Sequence, residues 1–302
     1  MKGKVFTIAG IVAYCVLTAI FIGFRPEHLL IAVFFGAFFF INTKSRKFII
    51  GLLPLIIFGI SYDWLRVFPN YKVNPIDVES LYNLEKSLFG IVENGIRLIP
   101  SEYFALHHHA VVDFFAGISY LGWVPIPVAF AIYLYVKNRK DLFLRFSMVF
   151  LFVNLIGFTG YYIHPAAPPW YAMNYGFNPV LNTPGNTGGL FRFDDLIRLP
   201  VFHSIYGRNA NVFAAVPSLH SAYLVVVLFY AIKNKSHWAI LVTVALFMCG
   251  IWFTAVYAAH HYIVDVLLGI LCAFIGIFLF EYGLMKWACF RNFFNKYLNY
   301  IQ

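Results

Sequence analysis

Eight apolar runs constrain this chain more than any other feature. Seven of them, at residues 5–24, 48–68, 111–136, 142–163, 213–232, 237–258 and 261–282, have about the length that crosses a bilayer as a helix; a shorter one covers 28–43. In lipid each segment must satisfy its own backbone N–H and C=O groups, so such runs fold as helices. The chain is 61% hydrophobic and 12% charged, against roughly 25% charged in soluble domains. The expected fold class is therefore all-α, a polytopic membrane protein with about eight transmembrane helices. The first run is long enough to span and lacks a small-residue cleavage site, so no cleavable signal peptide is expected. Segments 69–110 and 165–210 are polar and read as long loops with short helices. Within the first, Asp77 to Leu98 has apolar residues at helical spacing, as expected of a helix lying in the membrane interface.

Lysine and arginine set the orientation. With the N-terminus inside, 14 of the 22 basic residues fall on the cytoplasmic side, from Lys2 and Lys4 through Lys44-Arg46-Lys47, Lys137-Arg139-Lys140 and Lys233-Lys235 to Lys296. The other basic residues are spread over much longer loops. This sorting accounts for the net charge of +9 and removes the reason to expect nucleic acid as a partner. Of 13 acidic residues only Asp141 and Glu281 fall inside, and of ten histidines only His237. Ionisable chemistry is thus expected at the non-cytoplasmic face. Cys15, Cys249, Cys272 and Cys289 have no metal-ligand spacing and read as small hydrophobes, without disulfides or zinc.

Three segments carry candidates to that face. The first is Ala259-His260-His261-Tyr262-Ile263-Val264-Asp265, at the lip of the last run. A carboxylate four residues after a histidine shares its helix face, which favours His261 over His260 as the partner of Asp265. The second is Pro217-Ser218-Leu219-His220-Ser221, in the first turns of the sixth run. The third is His164-Pro165-Ala166-Ala167-Pro168-Pro169-Trp170-Tyr171, leaving the fifth. Singly, each has a structural reading: a snorkelling Asp, a hydrogen-bonded His, a stiff loop with an interfacial anchor. Jointly, at one depth on one face, they point to function, because ionisable groups are expensive in lipid. Two histidines and a carboxylate suit phosphoryl or acyl transfer. Asp265 would fix the tautomer of His261 and raise its basicity. Neutral His261 would attack phosphorus, giving a phospho-histidine intermediate. His220 would protonate the departing alkoxide and then deprotonate the incoming hydroxyl, beside a helix N-terminus that favours an anion.

No metal or other cofactor is expected, because carboxylates do not cluster as a two-metal site requires. His107-His108-His109 cannot converge on one ion from a regular helix, and an interfacial or loop role is expected. Asp113 stands four residues past His109 and is a candidate partner for it, and Asp63 is one for Arg66.

Pro217-Ser218-Leu219-His220 followed by His261-x-x-x-Asp265 resembles the second and third motifs of the type 2 phosphatidic acid phosphatase superfamily. Within it the chain is most similar to inositol phosphorylceramide synthases. Leu81 to Gly90, Ala167-Pro168-Pro169-Trp170-Tyr171, Phe213 to His220 and His260-His261-Tyr262 all look like that branch. The resemblance covers roughly residues 60–280. It implies a six-helix catalytic membrane domain over 48–285, two extra N-terminal helices over 1–47, and a cytoplasmic tail at 286–302. It implies His261 as nucleophile, Asp265 as its partner and His220 as acid/base. The implied reaction moves phosphoinositol from phosphatidylinositol to the primary hydroxyl of ceramide or dihydroceramide, releasing diacylglycerol. The two lipids are then the partners expected from the bilayer.

The sequence departs from the superfamily's phosphatases. Where they carry Arg six residues before the third-motif His, with Ser ahead of it, this chain has Ala255 and Thr254. Their first motif, with Lys and Arg-Pro, is absent. A phosphate monoester at neutral pH carries close to two charges, whereas a diester carries one and needs fewer cations. The loss therefore favours a diester donor. Arg192, Arg198 and Arg208 remain as candidates for one contact. Expected substrate-binding residues are His164, Pro168, Trp170, Tyr171, Ser218, Ser221 and Arg208, with Trp170, Tyr171, Tyr175 and Phe177 on a lid that excludes water. The competing readings are a lipid or polyprenyl pyrophosphate phosphatase with the same triad, and a transporter. Transporters place such groups near the midplane and often show internal repeats; no repeat is visible. The modest length and the lack of long cytoplasmic extensions favour a bacterial inner membrane, with the site facing the periplasm.

Overall fold

Proline and asparagine mark where the apolar runs break. The structure is a computed structural model and describes residues 2–208 and 211–302; residue 1, the side chain of Lys2 and residues 209–210, at the end of the outer loop, lie outside the described set. Helix α1 (Lys2–Phe21) is followed by α2 (Pro26–Ile41), which begins on Pro26. Asn42 accepts the Ser45 N–H at 2.8 Å and starts α3 (Thr43–Gly51). Pro54 lies at the start of α4 (Leu53–Trp64), where it cannot donate to the preceding turn, and α3 and α4 bend by 50°.

The outer segment contains amphipathic α5 (Glu79–Phe89), a hairpin of β1 (Ile91–Glu93) and β2 (Ile96–Leu98), and α6 (Pro100–Leu106). The helix expected over Asp77–Leu98 is thus half right. Asn94 and Gly95 have φ of 49° and 79°, which suit a two-residue hairpin turn and end the helical region early.

A single helix expected over 111–136 is α7 (Ala110–Leu121) and α8 (Pro125–Val136), bent by 45° at Pro125. Then come α9 (Lys140–Ile163), α10 (Pro169–Tyr175), α11 (Phe191–Ile197), α12 (Val201–Tyr206), α13 (Leu219–Lys233), α14 (Trp238–Tyr257), α15 (Ile263–Phe278) and α16 (Ala288–Ile301). By length and composition four helices can cross a membrane, or six if each bent pair is one span. The second and sixth expected spans are the shorter α2 and α13, of 16 and 15 residues. The run that begins at 213 starts its helix only at Leu219, because Ala214 and Ala215 pair in extended form with Ala166.

The core packs α13 against α15, α14 and α9, with α4 and α7 outside them. Within it the Tyr223 hydroxyl donates to Asn154 Oδ1 at 2.7 Å, and the Asn154 amide donates to the Phe150 carbonyl at 2.8 Å. One end of α13 carries His220. Thirteen residues on, or about 20 Å at 1.5 Å per residue, Lys233 pairs with Glu281 at 2.8 Å, which also takes Arg145 at 3.1 Å. The tail expected at 286–302 is largely α16, which docks here: Phe294 is buried, and the Tyr297 hydroxyl donates to the Ile50 carbonyl.

Small residues let these helices approach closely. A Cβ on Gly269 would stand 1.9 Å from the Ser218 carbonyl and 2.3 Å from Ser221 Oγ. Gly269→Leu is therefore expected to force α13 and α15 apart. A loss of about 2–3 kcal/mol is expected from overpacking, read as a lower thermal midpoint in detergent together with loss of activity.

Candidate active site

The two helices held together at Gly269 carry the candidate histidines and Asp265 to one wall. Ser218 precedes α13, so His220 lies in its first turn. His261 stands in the turn between α14 and α15, where the Ala255 carbonyl accepts the N–H of both His260 and His261 at 2.9 Å. Tyr262 caps α15, and Asp265 in its first turn accepts the Tyr262 N–H at 2.9 Å. His261 is thus outside the helix, and the expected shared helix face is replaced by a cap turn that brings the same two residues together.

His261 Nδ1 lies 3.5 Å from Asp265 Oδ2, and His261 Nε2 lies 3.1 Å from His220 Nδ1. The three side chains form a row. The protonation consistent with it puts a proton on His261 Nδ1, toward Asp265, and leaves the Nε2 lone pair facing an N–H of His220. The 3.5 Å gap is longer than a hydrogen bond, as is common before substrate tightens a site. His260 points elsewhere: its Nε2 meets the Thr187 carbonyl at 2.7 Å, and its ring stacks on Tyr206 at 4.3 Å.

A cavity of about 900 Å³, mouth included, opens onto this row. Pro168, Trp170, Arg208, His220 and His261 line it, with Trp123 and Tyr161. Four other expected contacts do not line it. Tyr171 is fully buried and holds the following loop, its hydroxyl accepting the Val180 N–H at 2.6 Å. Ser221 Oγ donates to the Val266 carbonyl at 3.1 Å, and the Ser218 N–H to the Asp265 carbonyl at 3.0 Å, so both serines tie the two helices together. His164 is exposed and pairs with Asp77 at 3.2 Å. Of the expected lid, Trp170 lines the cavity, its backbone N–H donating to the Ala259 carbonyl at 2.9 Å, whereas Tyr175 and Phe177 are exposed.

Arg208 is the one Lys or Arg lining the cavity among the described residues. Arg192 is committed to Asp113 at 2.6 Å and lies over the Tyr257 ring, and Arg198 is exposed. Asp113 also takes the Tyr257 hydroxyl at 2.8 Å and His108 at 3.4 Å. It does not pair with His109, which caps α7 through its own ring rather than lying on the helix face. His107 pairs with Glu93 at 2.7 Å, so the three consecutive histidines diverge. Ala255 is fully buried, leaving no room for the arginine that phosphatases carry there.

Burial pushes the His261 imidazole down to about 4, against an ordinary value of 6.5. The expected rise in basicity from Asp265 is outweighed by desolvation, and His261 is neutral at physiological pH. With His261 attacking in its neutral form, as the sequence motifs lead one to expect, activity is expected above this pKa and is lost as pH falls through it. The acid limb governed by His261 is therefore expected near pH 4 and not near 6.5, measured as kcat/KM against pH.

Sequence reasoning did not single out Glu85 on α5. Its carboxylate accepts the Ile263 N–H at 2.9 Å and the Val264 N–H at 3.3 Å, capping α15 from outside. Burial pushes this carboxyl up to about 7. Glu85 is a positioning residue for the turn that carries His261 and Asp265. Glu85→Ala leaves two buried N–H groups unpaired and is expected to cost about 1–2 kcal/mol of capping and to lower kcat more than it raises KM. Glu85→Gln keeps one acceptor oxygen and is expected to recover most of the rate, as steady-state kinetics of the two variants would show.

Comparison with known proteins follows from the same residues. The model of the PAP2 superfamily matches residues 81–279. The phosphoinositol dihydroceramide synthase of Bacteroides thetaiotaomicron is 60% identical over 302 residues, 100% of this chain and 99% of that protein. The inositol phosphorylceramide synthase catalytic subunit of Saccharomyces cerevisiae is 27% identical over 257 residues, 84% of this chain and 61% of its own length. The inositol phosphorylceramide synthase of Candida albicans is 26% identical over 252 residues, 82% of this chain and 50% of its own length. No solved structure gives a significant match. With its histidine motifs in order and more than half its length matched, the chain belongs to the PAP2 superfamily.

Proposed function

We propose that this membrane enzyme transfers phosphoinositol from phosphatidylinositol to ceramide or dihydroceramide and releases diacylglycerol. The observation that carries this reading is the row Asp265–His261–His220 on a cavity lined by a single guanidinium. One cation suits a singly charged diester better than a doubly charged monoester. The names of the relatives, a phosphoinositol dihydroceramide synthase and an inositol phosphorylceramide synthase, support the transferred group and the acceptor.

His261 Nε2 attacks phosphorus, and the bond from phosphorus to the glycerol oxygen breaks. His220, in its protonated form, gives its proton to the leaving oxygen. Diacylglycerol departs, and phosphoinositol remains on His261. His220, now neutral, takes the proton of the acceptor's primary hydroxyl, whose oxygen attacks phosphorus and frees His261. Asp265 holds the tautomer and stabilises the cation that forms on His261. The aromatic wall of Trp123, Tyr161 and Trp170 keeps water from competing with the acceptor. His220 and His261 act at the non-cytoplasmic end of the helices. This assignment is supported by the basic cluster at the other end of α13, around Lys233 and Arg145. A bacterial inner membrane with the site facing the periplasm suits the close bacterial relative.

The test gives purified protein a fluorescent ceramide with phosphatidylinositol, and separately with phosphatidylcholine or phosphatidylglycerol. A new inositol-containing ceramide product, formed with phosphatidylinositol alone and matched by diacylglycerol, is expected. Release of headgroup phosphate without a ceramide product would identify a phosphatase instead.

A further inference from the structure

The two N-terminal helices lie outside the residues matched to the family, 81–279, yet they build a second cavity beside the catalytic one. It measures about 700 Å³ and shares Tyr62, Ile205 and Arg208 with the catalytic cavity. Its polar end gathers residues from three parts of the chain. Asp63 takes Arg66 at 2.6 Å, His28 at 2.8 Å and Arg25 at 3.7 Å. Arg208 pairs with Glu27 at 2.8 Å, and Arg66 also donates to the Arg208 carbonyl at 3.1 Å. His28 is 5% exposed, and its Nδ1 is buried without a hydrogen-bond partner. Three guanidinium groups thus face two carboxylates, leaving one positive charge in excess and one buried ring nitrogen open to a ligand.

The other end is apolar. A groove of about 820 Å³ runs between α2 and α4, lined by Leu30, Ile31, Phe34, Leu55, Ile56 and Gly59. Ile31 and Gly59 belong to both the groove and the polar cavity. An apolar channel therefore leads to a cationic cluster, which leads through Arg208 to His220 and His261. That sequence of surfaces matches a phospholipid read from its acyl chains to the phosphodiester that must reach His261.

We infer that the groove between α2 and α4, with the Arg25, Arg66 and Arg208 cluster, is the access site of the anionic phospholipid donor. An acyl chain lies along the groove, the diester lies among the guanidinium groups, and His28 Nδ1 meets a headgroup hydroxyl. The single charge of a diester closes the local balance, whereas ceramide is neutral and would leave the excess cation unmatched. Arg208 borders both cavities, so the diester passes inward without losing its counter-charge. The inference rests on the transferase reading above.

Gly59 stands at the junction, and a Cβ there meets nothing within 4 Å. Gly59→Phe therefore starts a bulky side chain at the passage with no clash at its Cβ. In mixed micelles of the full chain, the KM for phosphatidylinositol is expected to rise about tenfold. The kcat at saturating donor and the KM for ceramide should stay within about twofold. An unchanged donor KM, or a rise confined to ceramide, overturns the inference. In parallel, phosphatidylinositol with a diazirine on its acyl chain is photolysed with the wild-type protein. Labelling of Leu30, Phe34 or Leu55, competed by unlabelled phosphatidylinositol and not by ceramide, is expected. Labelling only elsewhere, or competition by ceramide alone, overturns it. If the wild-type protein made no transfer product, the transferase reading would fail while the photolabelling still decided the donor site.

Discussion

His261→Ala is expected to lower phosphoinositol transfer by about four orders of magnitude or more, the scale on which loss of an attacking group acts. The position tolerates the change structurally. The backbone N–H that fixes the turn bonds to the Ala255 carbonyl and does not involve the side chain. The imidazole borders an existing cavity, so its removal enlarges open space instead of creating a sealed void. The thermal midpoint in detergent is expected to stay within a few degrees, and the protein should still bind phosphatidylinositol. A variant that kept more than about a hundredth of the wild-type rate would remove His261 as nucleophile.

Asp265→Asn is expected to cost about 10⁴-fold in kcat by a different route, the magnitude seen when the carboxylate behind a catalytic histidine becomes an amide. Oδ2 of Asp265 both accepts the Tyr262 N–H at 2.9 Å and faces His261 Nδ1 at 3.5 Å. An amide with its oxygen there keeps the cap of α15 but loses the charge that stabilises the His261 cation, and one turned the other way gives up the cap and drives the ring proton to Nε2. Asp265→Ala loses the cap as well, with about 1 kcal/mol of stability. Comparing kcat and unfolding midpoints for the two variants separates these contributions. Equal losses of stability in both, with equal activity, would mean that Asp265 acts only as a cap.

Most of the helices were legible because apolar length is a local signal. The breaks were less so. Pro54 and Pro125 bend their runs by 50° and 45°, but a hydropathy window averages across a proline. Asn94-Gly95 carried a hairpin signal that the apolar spacing of its neighbours concealed. Short motifs brought His220, His261 and Asp265 forward as candidates, and the three side chains meet, although His261 reaches Asp265 through a cap turn instead of a helix face. Glu85 was missed because its partners, Ile263 and Val264, are 178 and 179 residues away, a pairing that no periodicity encodes. The charge cluster beside the site was half visible. Asp63 and Arg66 are three residues apart and pair as expected at 2.6 Å, whereas Arg25, His28 and Arg208 reach them only through the packing of α2 on α4 and the outer loop. His164 failed for the opposite reason: it is close in sequence to Pro168 and Trp170, but its ring turns outward to Asp77.

The decisive experiment follows the phosphorus atom. Protein is mixed with phosphatidylinositol labelled at phosphorus, without acceptor, quenched under alkaline conditions that preserve phosphoramidates, and digested for mass spectrometry. Label is expected on the peptide carrying His261, as a phosphoinositol adduct that disappears into a ceramide product when ceramide is added before the quench. Labelling should be absent from His261→Ala and present in His220→Gln at a lower rate. Label on another residue, or transfer at the wild-type rate with no adduct at any time, would contradict a histidine that carries the headgroup between two lipids.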